Sequence, residues 1–229
     1  VLTVVSLLAI SRRSLVPKGM QAWIEAYLEA MLNLVEAVAG KTWGRRFFPL
    51  VSTIFLFVIT NNWLSLLPGF GTIGVWEEKE GHEILIPLFR NASTDLNTTF
   101  GLAFIAMGMV QFWGIRSVGL PSYLGKYFTF RGSSPLIRVI NAFIGGLELI
   151  SEFARTLALA FRLFGNMFAG EVLLLVITFL IPLVLVNIFY SLELLVGFIQ
   201  ALIFAMLTLV FSTMAVASHE GGHKSEEHS

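Results

Sequence analysis

No cysteine occurs among the 229 residues, so disulfides and thiolate metal sites are excluded. Charge is scarce as well. Asp, Glu, Lys and Arg make up 13% of the chain, against about one quarter in soluble domains. The 15 basic and 15 acidic residues cancel, which argues against a nucleic-acid partner. No glycine-rich phosphate loop of the Walker type occurs, so no nucleotide site of that kind is expected. What remains is apolar, with 56% hydrophobic residues and a mean hydropathy of +0.80. The composition is that of an all-α integral membrane protein, one membrane domain over 1–229.

The chain then divides by its apolar runs. Val1–Ile10 is apolar but too short to cross alone, since about 20 residues are needed. It reads as the end of a first transmembrane helix, because Arg12, Arg13 and Lys18 follow it and a signal peptide carries its charge in front. In 20–39, Gln21, Glu25, Glu29, Asn33 and Glu36 recur opposite Trp23, Ile24, Leu28, Met31, Leu32 and Val35. That pattern predicts an amphipathic helix suited to the membrane interface. Transmembrane helices are expected at 47–67, ended by Pro68-Gly69, and at 96–113, with Asp95 and Asn97 at its mouth. Asn61 and Asn62 are placed to cap or to bond a neighbouring helix. About five spans plus the interfacial helix are expected in all.

From Pro135 the chain is apolar to Leu180, and again from Leu183 to Ala217. As helices these runs would reach roughly 69 and 52 Å at 1.5 Å per residue, against about 30 Å of hydrocarbon. Either Gly145-Gly146 breaks the first or both are steeply tilted, so 135–217 reads as a tilted hairpin able to wrap a round neighbour. The polar tail 218–229 carries His219, His223 and His228, which read as solvated rather than metal-binding.

Basic residues exceed acids by six to three in 11–46 and by four to none in 114–138, whereas 68–95 holds two bases and five acids. The positive-inside rule puts the first two loops in the cytoplasm, or its equivalent, and 68–95 outside.

One stretch, Glu148–Glu171 (ELISEFARTLALAFRLFGNMFAGE), places charge inside an apolar region. Such residues are costly in hydrocarbon and face a partner or water. With Arg162 at zero and about 100° per residue, Arg155 falls near +20°, Asn166 and Glu148 near +40°, Glu152 near +80° and Glu171 near 180°. Ala154, Ala158, Gly165 and Ala169 form a small-residue face that lets a neighbouring helix approach. Helical spacing also permits a purely structural reading of Glu148, Glu152 and Arg155 as internal pairs. Arg162 has no acid three or four residues away, so its partner must come from elsewhere. On the last helix Glu193 and Gln200 share a face at seven residues. Along the membrane normal the order is acid, arginine, acid: Glu171 and Glu193, then Arg162, then Glu148 and Glu152. Carboxylates lining water can pass protons, and a fixed guanidinium between them repels a cation. Two half-channels separated by a positive gate follow. A proton- or sodium-coupled secondary transporter is the alternative, but the inverted repeats expected there are not seen.

These residues also carry a resemblance. Arg162-Leu-Phe-Gly-Asn166-Met-Phe-Ala-Gly-Glu171, Gln200-Ala-Leu-Ile-Phe, Asp95-Leu-Asn97-Thr-Thr and NNWLSLLPG at 61–69 resemble the ordered motifs of subunit a of F-type ATP synthases. The resemblance implies the stator part of a proton channel, facing a ring of c subunits that each carry a membrane carboxylate. It implies that Arg162 attracts the ionised carboxylate and blocks a direct leak. Glu171, Glu193, Asn166 and Gln200 would form the outer path and Glu148 the inner one, with Glu152, Arg155, Asp95 and Asn97 as accessory residues. Some members of the family have histidine where Glu193 stands. It further implies b-type peripheral stalk partners, a hetero-oligomeric complex, no catalytic site, cofactor or metal on this chain, and a bacterial plasma membrane ahead of a thylakoid.

Overall fold

The structure, a computed structural model, describes residues 20–67, 74–79, 82–87, 92–120, 123, 135–181 and 185–217. The expected helix end at Val1–Ile10 and the histidine-containing tail lie outside these residues. In order, the elements are helix α1 (Met20–Ser65), strands β1 (Gly74–Lys79) and β2 (His82–Pro87), a 3-10 turn (Ala92–Thr94), and helices α2 (Leu96–Val118), α3 (Pro135–Leu180) and α4 (Leu185–Ala217). Among the described residues, four helices are long and apolar enough to cross a membrane.

α1 is two helices, because Gly40 interrupts it at φ 72°, ψ 167°. That region of backbone space is open essentially to glycine alone. The first arm folds back on the second. Tyr27 lies against Ser52, its hydroxyl 3.0 Å from Ser52 Oγ, and its ring stacks on Phe55 at 5.9 Å. Close to the bend, Arg45 Nε donates to Glu36 Oε1 at 2.9 Å. The inner face of the first arm is Tyr27, Met31 and Val35, while Trp23 and Leu28 on the same arm are exposed. The apolar side of 20–39 is thus split between the bundle and its surroundings.

The core is made where α4 meets α1, α2 and α3, and where α2 meets α3. Phe47, Val51 and Val58 pack with Ala106 and Val110 of α2, Leu159 and Leu163 of α3, and Phe204 and Leu209 of α4. Ala103, Ala106, Ala160, Ala201 and Ala205 are fully buried. In a membrane, where lipid is as apolar as leucine, such small residues hold helices together by close approach.

α2 begins at Asp95, whose side chain accepts from Asn97 N at 3.0 Å, satisfying one of the otherwise unbonded first amides. It runs to Val118, beyond the span expected to end at 113, and Gly119 closes it by donating to Ile115 O at 2.8 Å. α3 continues unbroken through Gly145-Gly146 for 46 residues, about 69 Å. α4 has 33 residues, about 50 Å. The glycine pair is therefore no hinge, and excess length over the bilayer remains to be accommodated. Between α1 and α2 the sequence reading saw only a polar loop. The structure pairs β1 and β2 antiparallel there, from Gly74 opposite Pro87 to Lys79 opposite His82. The short alternations Gly-Val-Trp-Glu-Glu-Lys and His-Glu-Ile-Leu-Ile-Pro were masked by the acids that made the segment look merely hydrophilic.

Candidate functional site

α3 and α4 are antiparallel, and three contacts fix their register. Glu193 presses its carboxylate onto Gly170, where a methyl group would overlap it. Asn166 Nδ2 donates to Gln200 Oε1 at 2.6 Å. The Arg155 guanidinium lies 5.5 Å from the centre of the Phe211 ring. Interpolation between these places Arg162 level with about residues 201–204.

On one side of that level lies a first polar cluster. Glu193 is buried at 9% exposure, and Gln200 is buried with its Nε2 lacking an acceptor among the described residues. One turn from both, Gly197 O accepts from Asn62 Nδ2 at 3.1 Å, and Asn62 Oδ1 accepts from Ser93 Oγ at 3.0 Å. Trp63 Nε1 donates to Leu194 O at 3.2 Å. α1, the 3-10 turn and α4 are thus tied together at this level. Glycine at 197 eases the approach of Asn62, whose Cβ would lie 3.2 Å from an added methyl, a few tenths of an ångström too close.

On the other side lies a second cluster. Glu152 Oε2 accepts from Gln111 Nε2 at 2.6 Å, and Gln111 Oε1 accepts from the Tyr123 hydroxyl. Arg155 sits 3.8 Å from Glu148 Oε1 and donates to Ser151 Oγ at 3.4 Å. Glu148 and Arg155 are therefore paired within α3, as internal pairing would have them, whereas Glu152 is engaged across to Gln111 of α2. Gln111 and Tyr123 were not singled out from the sequence. Glutamine late in the second apolar run was the available signal for the first, and nothing local marked the tyrosine.

Arg162 differs from all of these. It is exposed and makes no hydrogen bond or ion pair with any described residue. Leu159, Leu163 and Met167 turn into the core beside it, while Ala158, Gly165 and Ala169 on its other flank are exposed. It thus stands at the edge of a bare strip of small residues. Glu171 is exposed too, without a partner among the described residues, and points away from Arg162. Asp95 and Asn97 are exposed, and their bond serves the α2 cap. From Glu148 to Gly170 the polar positions of α3 cover about 33 Å at 1.5 Å per residue, close to the hydrocarbon thickness. Among the described residues no group of three His, Cys, Asp or Glu could hold a metal.

Two polar clusters on α3 and its neighbours, the first largely buried and the second half-buried, with a cation between them that has no partner among the described residues, can lead protons inward from both ends and stop them in the middle. Comparison with known proteins points the same way. A family model described as ATP synthase A chain matches residues 1–213. The ATP synthase subunit a of Moorella thermoacetica is 31% identical over 212 residues, covering 93% of this chain and 84% of that protein. The ATP synthase subunit a 1 of Syntrophotalea carbinolica is 35% identical, covering 92% and 78%. That of Mycobacterium tuberculosis is 34% identical, covering 91% and 78%.

Proposed function

We infer how this chain works from its membership: it belongs to the ATP synthase A chain family, is a multi-pass membrane component of an ATP synthase complex, and serves as the stator of the proton channel. Its finer working is read as follows. Protons enter from outside through Glu171, Glu193, Asn166 and Gln200, and load a carboxylate of the rotating c-ring. They leave on the inner side past Glu148, with Glu152 and Arg155 shaping that path and Asp95 and Asn97 near the outer mouth. Arg162 divides the two half-channels.

The observation that carries this reading is the unpaired, exposed Arg162 on a small-residue strip, midway between two polar clusters. Guanidinium cannot be deprotonated in a protein, so it repels any proton carrier that attempts a direct crossing. It also attracts an ionised carboxylate arriving opposite it. At about 4 Å that attraction is roughly 1 kcal/mol in bulk water and roughly 4 kcal/mol near a protein surface. A permanently buried pair would cost about 3–5 kcal/mol to break and would stall a rotor. Water reaching the site from both half-channels keeps the contact transient.

The excess length of α3 and α4 is taken up by strong tilt, which lays them against the curved flank of the c-ring. β1 and β2 lie outside, and the basic ends of α1 and α2 lie inside. The catalytic sites of ATP synthesis belong to other subunits, b-type stalk subunits hold this chain still, and the membrane is a bacterial plasma membrane. The test is proton-driven ATP synthesis in vesicles reconstituted with the whole complex. Arg162→Ala should abolish coupling while the complex stays assembled, and Arg162→Lys should fail too, since lysine can shed its proton in a low-dielectric site. Near-normal coupling in Arg162→Ala would overturn the gate assignment.

A further inference from the structure

A cavity of about 300 Å³ opens where the second arm of α1 begins and α2 ends, lined by Trp43, Arg46, Trp113, Arg116 and Ser117. These helices run antiparallel, so the cavity lies at one edge of the bundle, at the end that also holds Gln111 and Tyr123 of the second polar cluster but lined by neither. Its two cations have no counter-charge among the described residues. Neither Arg46 nor Arg116 makes an ion pair or hydrogen bond with a described residue. Arg45 beside them is engaged by Glu36. Arg46 lies over the ring of Trp43 at 4.8 Å, a contact that positions the guanidinium without using up its N–H groups. The hydroxyl of Ser117 is spent on Gly114 O at 2.9 Å, so the guanidinium groups are the donors on offer. The indole N–H of Trp113 has no acceptor among the described residues. Nor do the adjoining loops bring a counter-charge: 1–19 and 114–138 contain no Asp or Glu.

Two unpaired guanidinium groups call for a phosphate. Tryptophans at the edge of an apolar bundle mark the depth of lipid headgroups. A basic pocket between membrane helices matches the headgroup of an anionic lipid. We propose that this cavity binds the phosphate of an anionic phospholipid, clamped by Arg46 and Arg116 against Trp43 and Trp113. The lipid would brace the α1–α2 corner of the stator on the side away from the small-residue strip. Soluble phosphate shares the chemistry, but lacks the acyl chains that exposed Phe112 beside Trp113 would meet.

The test is native mass spectrometry of the full chain in detergent, titrated separately with cardiolipin, phosphatidylcholine and inorganic phosphate. Two charge-assisted hydrogen bonds from guanidinium groups seated at the phosphate are together worth roughly thirtyfold or more in affinity, which a cation outside the cavity does not supply. Arg46→Gln/Arg116→Gln should therefore bind cardiolipin about thirtyfold more weakly, with phosphatidylcholine unchanged. The control Lys41→Gln/Arg45→Gln removes the same charge from the same end and should keep the affinity within about threefold. Equal losses in both double variants, or none in the first, would overturn the site. Binding of inorganic phosphate as strong as that of cardiolipin, with the same arginine dependence, would overturn the lipid as its occupant.

Discussion

The contact between Glu193 and Gly170 permits a test that leaves every charge in place. A methyl group built on Gly170 would overlap all three terminal atoms of the Glu193 carboxyl group. Glu193 is buried at 9% exposure, so it has little room to retreat sideways. The atoms in conflict are the free end of a three-torsion side chain, however, and not backbone. Relief by rotating Glu193 costs about 0.5–1.5 kcal/mol, less than the roughly 1–3 kcal/mol of overpacking a rigid core. Gly170→Ala should thus assemble normally and simply push the carboxylate back. Because carbon atoms prefer separations of about 3.5–4.0 Å, the group must withdraw by more than about 1 Å. Misplacement on that scale can cost up to about a hundredfold in a positioned transfer. Proton flux should therefore fall about tenfold or more in reconstituted vesicles, read as acidification of the vesicle interior. The cleanest reading comes from combining Gly170→Ala with Glu193→Ala. If glycine matters only because of the carboxylate, the double variant should match Glu193→Ala alone. Wild-type flux in Gly170→Ala, or a double variant tenfold below Glu193→Ala, would refute the argument.

Two further expectations concern the scaffold that holds this site. Asn62→Leu leaves Gly197 O and Ser93 without their buried partner, which should lower stability by about 1–3 kcal/mol, seen as earlier thermal unfolding of the purified complex; an unchanged midpoint would show the bond to be idle. Gly40→Ala forces a side chain into backbone space that costs about 1–3 kcal/mol. It should reduce cross-linking between Tyr27→Cys and Ser52→Cys, which is simple to follow in a chain with no cysteine of its own; full cross-linking would mean that the bend survives without glycine.

What the sequence made legible follows from the physics of the bilayer. Long apolar runs can only be helices in lipid, because every backbone amide must bond within its own segment. That is why α2, α3 and α4 could be seen without coordinates, and why Gly40 could be passed over: the interfacial pattern of 20–39 ends there, but nothing local says that the arm turns back on Ser52. Arg162 could be singled out because a mid-helix cation without a nearby acid is rare in an apolar run. Which polar residues meet was another matter. The Asn166–Gln200 bond joins positions 34 apart and the Asn62–Gly197 bond positions 135 apart. Such pairings depend on helix register and crossing, to which a single sequence gives no access. Tyr123 shows the limit most plainly, because it belongs to a connecting segment and matters only through Gln111 on the neighbouring helix. The β1–β2 pair was missed for the opposite reason, since charged residues on short strands hid their alternation.

The surface of α3 carries the final step of the argument. Going round the helix from Arg162, the core-facing side holds Leu159, Leu163 and Met167. The other way come the exposed small residues Ala154, Ala158, Gly165 and Ala169, and beyond them exposed Phe143, Phe168 and Phe179. The phenylalanines suit lipid, which adapts to any relief. The small residues admit the close approach of another helix, as the buried alanines of the core do. A partner that moves past α3, as proposed above, needs in addition nothing to interlock and one charge to mark its stopping place. A strip cut low, with Arg162 at its edge as a cation that has no partner among the described residues, meets that need. On this view the absence of bulky side chains along the strip matters as much as the arginine. Gly165→Leu should therefore obstruct rotation in the assembled complex while leaving Arg162 in place.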